Sequence, residues 1–110
     1  EEYIESAHKS DGKLVRKIFH EDAKITGHIK GKLLRQSKED WARFVENLHP
    51  SPKEKNEKKH YDIELIDLGK ETAVAKIKSN YIDMVFVDTL SFLKTEGKWV
   101  IYNKIFEALE

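Results

Sequence analysis

The sequence predicts an α+β fold in which helices near the N-terminus lie across one face of a curved antiparallel sheet. Three observations carry this expectation. Apolar residues recur at three- and four-residue spacing in the first half of the chain, at Leu14, Val15, Ile18 and Phe19 and again at Trp41, Phe44, Val45 and Leu48. Alternating apolar and polar runs fill the second half from Tyr61 onward. Glu96-Gly97 sits between two of those runs, and an acidic-Gly pair there marks a tight hairpin, because glycine supplies the positive φ that a type I′ turn needs.

The elements follow in order. "EEYIESAHK" forms the end of a helix, with Tyr3, Ile4 and Ala7 on one face. "SDGKLVRKIF" forms a second helix, capped by Ser10 or Asp11. Two short strands, Ala23–Ile29 and Lys32–Gln36, join at Gly31. "SKEDWARFVENLH" is the clearest helix: Ser37 and Asp40 stand at capping-box spacing, and Pro50 ends it. "PSPKEKNEKKH" carries two prolines and mixed charge, which predicts an exposed loop. "YDIELIDL" and "TAVAKIKSNY" then flank a turn at Gly69 and join the final hairpin in a meander of about four long strands.

Composition bounds the function. A chain of 110 residues is one domain, residues 1–110, large enough for a core of its own. Its 20 basic and 20 acidic residues cancel, which argues against nucleic acid and against a membrane surface as partners. No cysteine is present, so disulfides, thiolate metal sites and cysteine nucleophiles are excluded. No apolar run reaches the roughly 18 residues of a membrane span, and no signal-peptide pattern opens the chain. That favours the cytoplasm, while a chain opening on Glu1 is also compatible with a cleaved secretory signal.

The hairpin holds the first candidate site residue. With Glu96 and Gly97 as the loop, uninterrupted alternation places Lys94 opposite Trp99, Phe92 opposite Ile101, Leu90 opposite Asn103 and Asp88 opposite Ile105, all on one face. That face is apolar apart from Asp88 and Asn103. A carboxylate turned into an apolar layer is costly unless it is hydrogen-bonded, paired or neutral. The opposite face, with Val87, Leu93, Val100, Tyr102 and Phe106, is too apolar to stay bare and predicts a homodimer.

The run from "IFHEDAKITG" (Ile18 to Gly27) through the "S-x-x-D-W" helix and "TAVAKI" to "FVDTLSFLKTEGKWVIYNKIF" resembles the nuclear transport factor 2-like superfamily, and within it the SnoaL-like branch labelled "putative lumazine-binding". The likeness covers nearly the whole chain. It implies a cone-shaped, cystatin-like fold, a bent sheet wrapped around helices with a cavity between its concave face and the first helix. Members usually have a longer first helix than the one here, so the resemblance implies that this helix is cut short. Superfamily members include isomerases, dehydratases, cyclases, transport adaptors and dimerisation modules, so fold does not select among them.

Within that frame Asp88 has two readings, a general base in the cavity or a scaffold acceptor for Tyr81, a lysine stem or a backbone N–H. His20, which the resemblance places near the cavity mouth, is a proton-shuttle candidate or a cap on the preceding helix. Tyr3, Trp41, Phe44 and Tyr81 form either a stacking wall for a flat ligand or ordinary aromatic core, beside Leu90, Phe92 and Asn103 from the hairpin. His20, Asp22 and His28 match no zinc spacing, and no phosphate loop or nucleophile elbow occurs. The expectation is therefore a ligand-binding domain for a small apolar or aromatic molecule, without metal or cofactor. Its rivals are a proton-transfer enzyme using Asp88 and an interaction adaptor.

Overall fold

The computed structural model describes residues 2–49, 51–55, 61–82 and 84–109. Helices α1 (Glu2–His8), α2 (Gly12–Ile18) and α3 (Lys38–Glu46) accompany strands β1 (Phe19–Ile29), β2 (Lys32–Ser37), β3 (Tyr61–Leu68), β4 (Thr72–Tyr81), β5 (Met84–Thr95) and β6 (Lys98–Leu109). The strands form one curved, unclosed sheet in the order β2-β1-β6-β5-β4-β3. It is mixed rather than wholly antiparallel, because β1 runs parallel to β6.

Local chemistry accounts for the helix ends. Asp11 caps α2, its carboxylate accepting from Leu14 N at 3.1 Å. Ser37 and Asp40 form the reciprocal capping box of α3, each side chain meeting the other's backbone N–H at 3.1 Å. Ser10 lies in the left-handed region and donates from Oγ to Leu48 O at 2.6 Å, which ties the α1–α2 turn to the end of α3. Arg16 forks between Glu39 and Glu46 across the surface seam of α2 and α3. Val15, Ile18, Phe19, Ile25, Trp41, Val45, Leu90 and Ile101 join in the core beneath.

Two expectations need correction here. Ala42, not Phe44, sits in the buried stripe of α3; Phe44 is 39% exposed. The segment after Pro50 does not open directly into solvent. Ser51 and Pro52 are buried, Lys53 N donates to His8 O at 2.9 Å, and the Ser51 hydroxyl accepts from Glu54 N. Pro50 itself and residues 56–60 of that loop lie outside the described residues.

The final hairpin turns as its sequence predicts, with Glu96 at φ 51° and Gly97 at φ 77°. Lys94 pairs with Trp99 and Phe92 with Ile101. Beyond that point a β-bulge at Tyr102 inserts one residue into β6, so Ser91 pairs with Asn103, Leu90 with Lys104 and Asp88 with Phe106. The slip inverts the rest of β6: Lys104 and Phe106 face inward, while Asn103 and Ile105 face outward. Phe106 settles over Gly27 of β1, where its backbone oxygen and ring fill the space a Cβ would take.

Candidate functional site

The concave face of the sheet, α1, α3 and the β1–β2 turn enclose a cavity of about 360 Å³. Its wall is mostly apolar and aromatic, with Tyr3, Trp41, Phe44, Tyr81, Phe86 and Phe106 among the lining residues. Asp88 and Lys104 also line it, and both are buried, at 3% and 4% exposure. They come from adjacent strands. Asp88 stands opposite Phe106, so Lys104 is its diagonal neighbour on the same face, at a typical Cα separation of about 7–8 Å.

One oxygen of Asp88 is held. The Tyr3 hydroxyl donates to Oδ2 at 2.5 Å, which fastens α1 to the sheet. The other oxygen, Oδ1, is buried without a protein partner. Burial pushes the Tyr3 phenol well above its ordinary range, and the neighbouring Asp88 charge adds to the effect, so Tyr3 stays a proton donor. Tyr81 is likewise pushed up by burial and carries a hydroxyl with no partner.

Lys104 occupies an aromatic cage. Its Nζ lies 4.0 Å from the Trp41 ring centroid, 5.1 Å from Tyr3 and 5.2 Å from Phe106. Burial lowers the pKa of its ammonium below the usual lysine range, with Asp88 pulling partly the other way. Trp41 also stacks on Phe44, with centroids 5.4 Å apart and planes at 17°, so one indole serves both the cage and the rim.

The remaining sequence-predicted residues lie elsewhere. His20 is on the outer side of β1, its ring 5.2 Å from Tyr102 and its Nδ1 accepting from Asp22 N at 3.0 Å; it does not line the cavity. Leu90 is fully buried core, Phe92 packs partly buried against that core, and neither reaches the cavity wall. Asn103 faces away because of the bulge. His28 is exposed, and among the described residues no group of three His, Asp or Glu is placed to hold a metal ion.

Sequence reasoning missed Lys104, because strict alternation from the turn puts it outside. A signal was nonetheless present. Phe106 and Ala108 flank Glu107, a pattern that fits a strand end whose even-numbered residues are buried and contradicts the register counted from Gly97.

The comparisons with known proteins cover almost the whole chain. The chain is 30% identical over 108 residues to Aldolase FrzH of Cladobotryum sp., across 96% of this chain and 82% of that protein. Among solved structures, an NTF2-like protein of unknown function from Silicibacter pomeroyi superposes with a TM-score of 0.86 at 22% identity, covering 98% of this chain and 87% of that one. Another, from Methylobacillus flagellatus, gives 0.83 at 26% identity, covering 98% and 84%. The family model described as "Putative lumazine-binding" matches residues 1–107. The chain therefore belongs to that family, on a nuclear transport factor 2-like α+β fold.

Proposed function

We propose that the chain binds a small, flat, largely apolar molecule in the cavity behind α1. One observation carries the reading. Among the described residues, the buried side-chain polar atoms without a partner are Gln36 Oε1, Trp41 Nε1, Tyr81 OH and Asp88 Oδ1, and all four residues line this cavity. Each unmet group costs roughly 1–3 kcal/mol, so their gathering in one wall favours a ligand that meets them. Trp41 only donates, Gln36 Oε1 and Asp88 Oδ1 accept, and Tyr81 does either. A ring system with both N–H donors and carbonyl acceptors on its edge suits that set, and lumazine itself is such a compound. The cavity volume of about 360 Å³ lies within the range common to small-molecule sites.

The test is a fluorescence titration in a Trp99→Phe background, which leaves Trp41 as the reporting indole. Saturable quenching by lumazine or an apolar bicyclic such as naphthol, weakened by Tyr81→Phe, is the expected result. Linear, unsaturable quenching by every flat probe would remove the reading.

A second reading, proton transfer with Asp88 as general base, draws on the same geometry. Tyr3 orients the carboxylate through Oδ2, and Oδ1 is left without a protein partner on a residue of the cavity wall. His20 and Asn103 drop out as its partners on position, and Tyr81 remains as the hydroxyl donor. The name of the Cladobotryum relative, an aldolase, favours chemistry at a carbonyl compound.

Homodimerisation is part of the same proposal. The outer sheet face exposes Tyr102 at 41% and Ile105 at 55%, with Val87, Leu93 and Val100 half-buried beside them, although Phe106 has left this face for the interior. Light scattering is expected to give a dimer mass that Tyr102→Lys reduces to the monomer; a wild-type monomer at tens of micromolar overturns the dimer.

A further inference from the structure

We propose that Lys104 is a covalent attachment point, its ε-amine condensing with the carbonyl carbon of a small aryl-substituted ketone or aldehyde held in the cavity beside Asp88. The inference rests on the small-molecule reading above and names a substrate class for it. Three placements carry it. Lys104 is the buried lysine of the described residues, and its Nζ stands within a cage of three rings in the cavity wall. Lys30 also lines the cavity, but it is exposed and therefore hydrated. Asp88 lies diagonally across the β5–β6 ladder with a free oxygen, and Tyr3 fixes its other one.

An amine attacks only when unprotonated, and an apolar setting enlarges that fraction. The lowering of the Lys104 pKa by burial works in this direction. The arithmetic of the step is closed. The nitrogen lone pair adds to the carbonyl carbon, and proton transfer from nitrogen to oxygen gives a carbinolamine. Protonation of its hydroxyl and loss of water then leave an iminium joined to Lys104. Asp88 Oδ1 takes a proton from the adjacent carbon; the C–H electron pair becomes the C=C bond, the C=N π pair returns to nitrogen, and a neutral enamine results. Reversal and hydrolysis release the carbonyl compound and restore the amine. No external oxidant or reductant enters.

The aromatic cage suits this role. The rings of Trp41, Tyr3 and Phe106 stabilise the cationic iminium through their negative faces, and among the described residues no carboxylate forms an ion pair with the Lys104 amine. The aryl group of the ligand would lie along the Trp41–Phe44 stack at the rim.

The experiment uses 1-phenylbutane-1,3-dione, whose condensation with an amine loses one water and gives a stable, ultraviolet-absorbing enaminone without a reductant. Incubation with the full chain at neutral pH, followed by peptide mapping, is expected to place one adduct on Lys104 and to give none with Lys104→Met, a substitution that keeps length and removes the buried charge. In heavy water, hydrogen exchange at the carbon next to the carbonyl of 4-phenylbutan-2-one is expected to be catalysed by the wild type. It should fall by about a hundredfold or more in Asp88→Asn, the usual scale for losing a positioned base. Adducts scattered over surface lysines, or none at Lys104 while Trp41 quenching shows the diketone bound, overturn the inference and leave the binding reading intact. Failure of the diketone and of every flat probe to bind removes both.

Discussion

The two halves of the β5–β6 hairpin obey different rules. Near the turn, from Phe92 to Ile101, pairing follows directly from Glu96-Gly97, and each residue sits where counting from the glycine puts it. Away from the turn, from Asp88 to Phe106, pairing is displaced by the Tyr102 bulge, and Phe86, Asp88, Lys104 and Phe106 of this half form the hairpin's share of the cavity wall. The near half is local chemistry, set by two positive-φ residues. The far half is set by tertiary demand: β1 runs parallel beside β6, its own register shifts between Phe19 and Lys24, and the inward Phe106 occupies the space that a Cβ at Gly27 would need. A bulge is the device that lets one strand satisfy both neighbours.

Inserting one alanine between Tyr102 and Asn103 tests that contrast most severely. Deleting Tyr102 would only straighten β6, since Ile101 would still face Phe92 and Lys104 would still face Leu90. With a second extra residue, either Lys104 and Phe106 leave the interior or the bulge must widen to two residues. Loss of Phe106 from the core alone is worth about 3–5 kcal/mol, so urea unfolding should show a loss of that size. An insertion that leaves stability within about 1 kcal/mol of wild type would show that the far half has no register of its own to lose.

What was legible in the sequence divides along the same line. The fold class, the capping box at Ser37 and Asp40, the Gly97 turn and the inward direction of Asp88 all come from short-range signals, and the structure displays each of them. Asp88 escaped the bulge because the extra residue lies on β6, so β5 keeps its alternation throughout. The outward turn of Asn103, the burial of Lys104 and the exclusion of His20 from the cavity depend on how β1 lies beside β6. That pairing joins residues more than 75 positions apart, as Phe19 with Ile101. The Tyr3–Asp88 bond spans 85 positions and is invisible to any local pattern for the same reason.

Tyr3→Phe probes the far half from the helix side. It removes the hydroxyl that meets Asp88 Oδ2 and leaves a buried carboxylate with neither oxygen bonded to protein, a cost of about 1–3 kcal/mol. Combined with Asp88→Asn, the effects should be clearly non-additive, since both changes act on one bond. Additive losses would mean that Tyr3 contributes through packing alone.

Lys104→Met has the opposite sign. A lysine whose folded-state pKa is lowered binds its proton more weakly in the native protein than in the unfolded chain, so it costs stability in full at pH values below the folded pKa. That cost fades as pH rises through the window between the folded value and the unfolded one near 10.4, and is absent above it. The Met variant should therefore be the more stable protein at pH 5, on the order of 1 kcal/mol, and the gap should close as the pH approaches 10. Melting curves across that range check it, and a gap that widens with pH would mean that Lys104 is held charged by a partner.

The smallest expected effect lies in the near half, where Glu96 adopts φ 51° and Gly97 φ 77°. A type I′ turn needs positive φ at both central positions, which glycine adopts freely, asparagine at modest cost and glutamate less readily. Glu96 therefore carries backbone strain that the hairpin offsets through cross-strand pairing. Glu96→Asn should relieve it and raise stability by about 0.5 kcal/mol, while Gly97→Ala should cost about 1 kcal/mol, because a Cβ is strained at that φ even though open space surrounds it. Neither change touches the Tyr102 bulge, so neither should alter ligand binding in the cavity. If Glu96→Asn gains nothing, or if Gly97→Ala weakens binding as well as folding, then the two halves are not independent and the turn helps to set the register of the cavity wall.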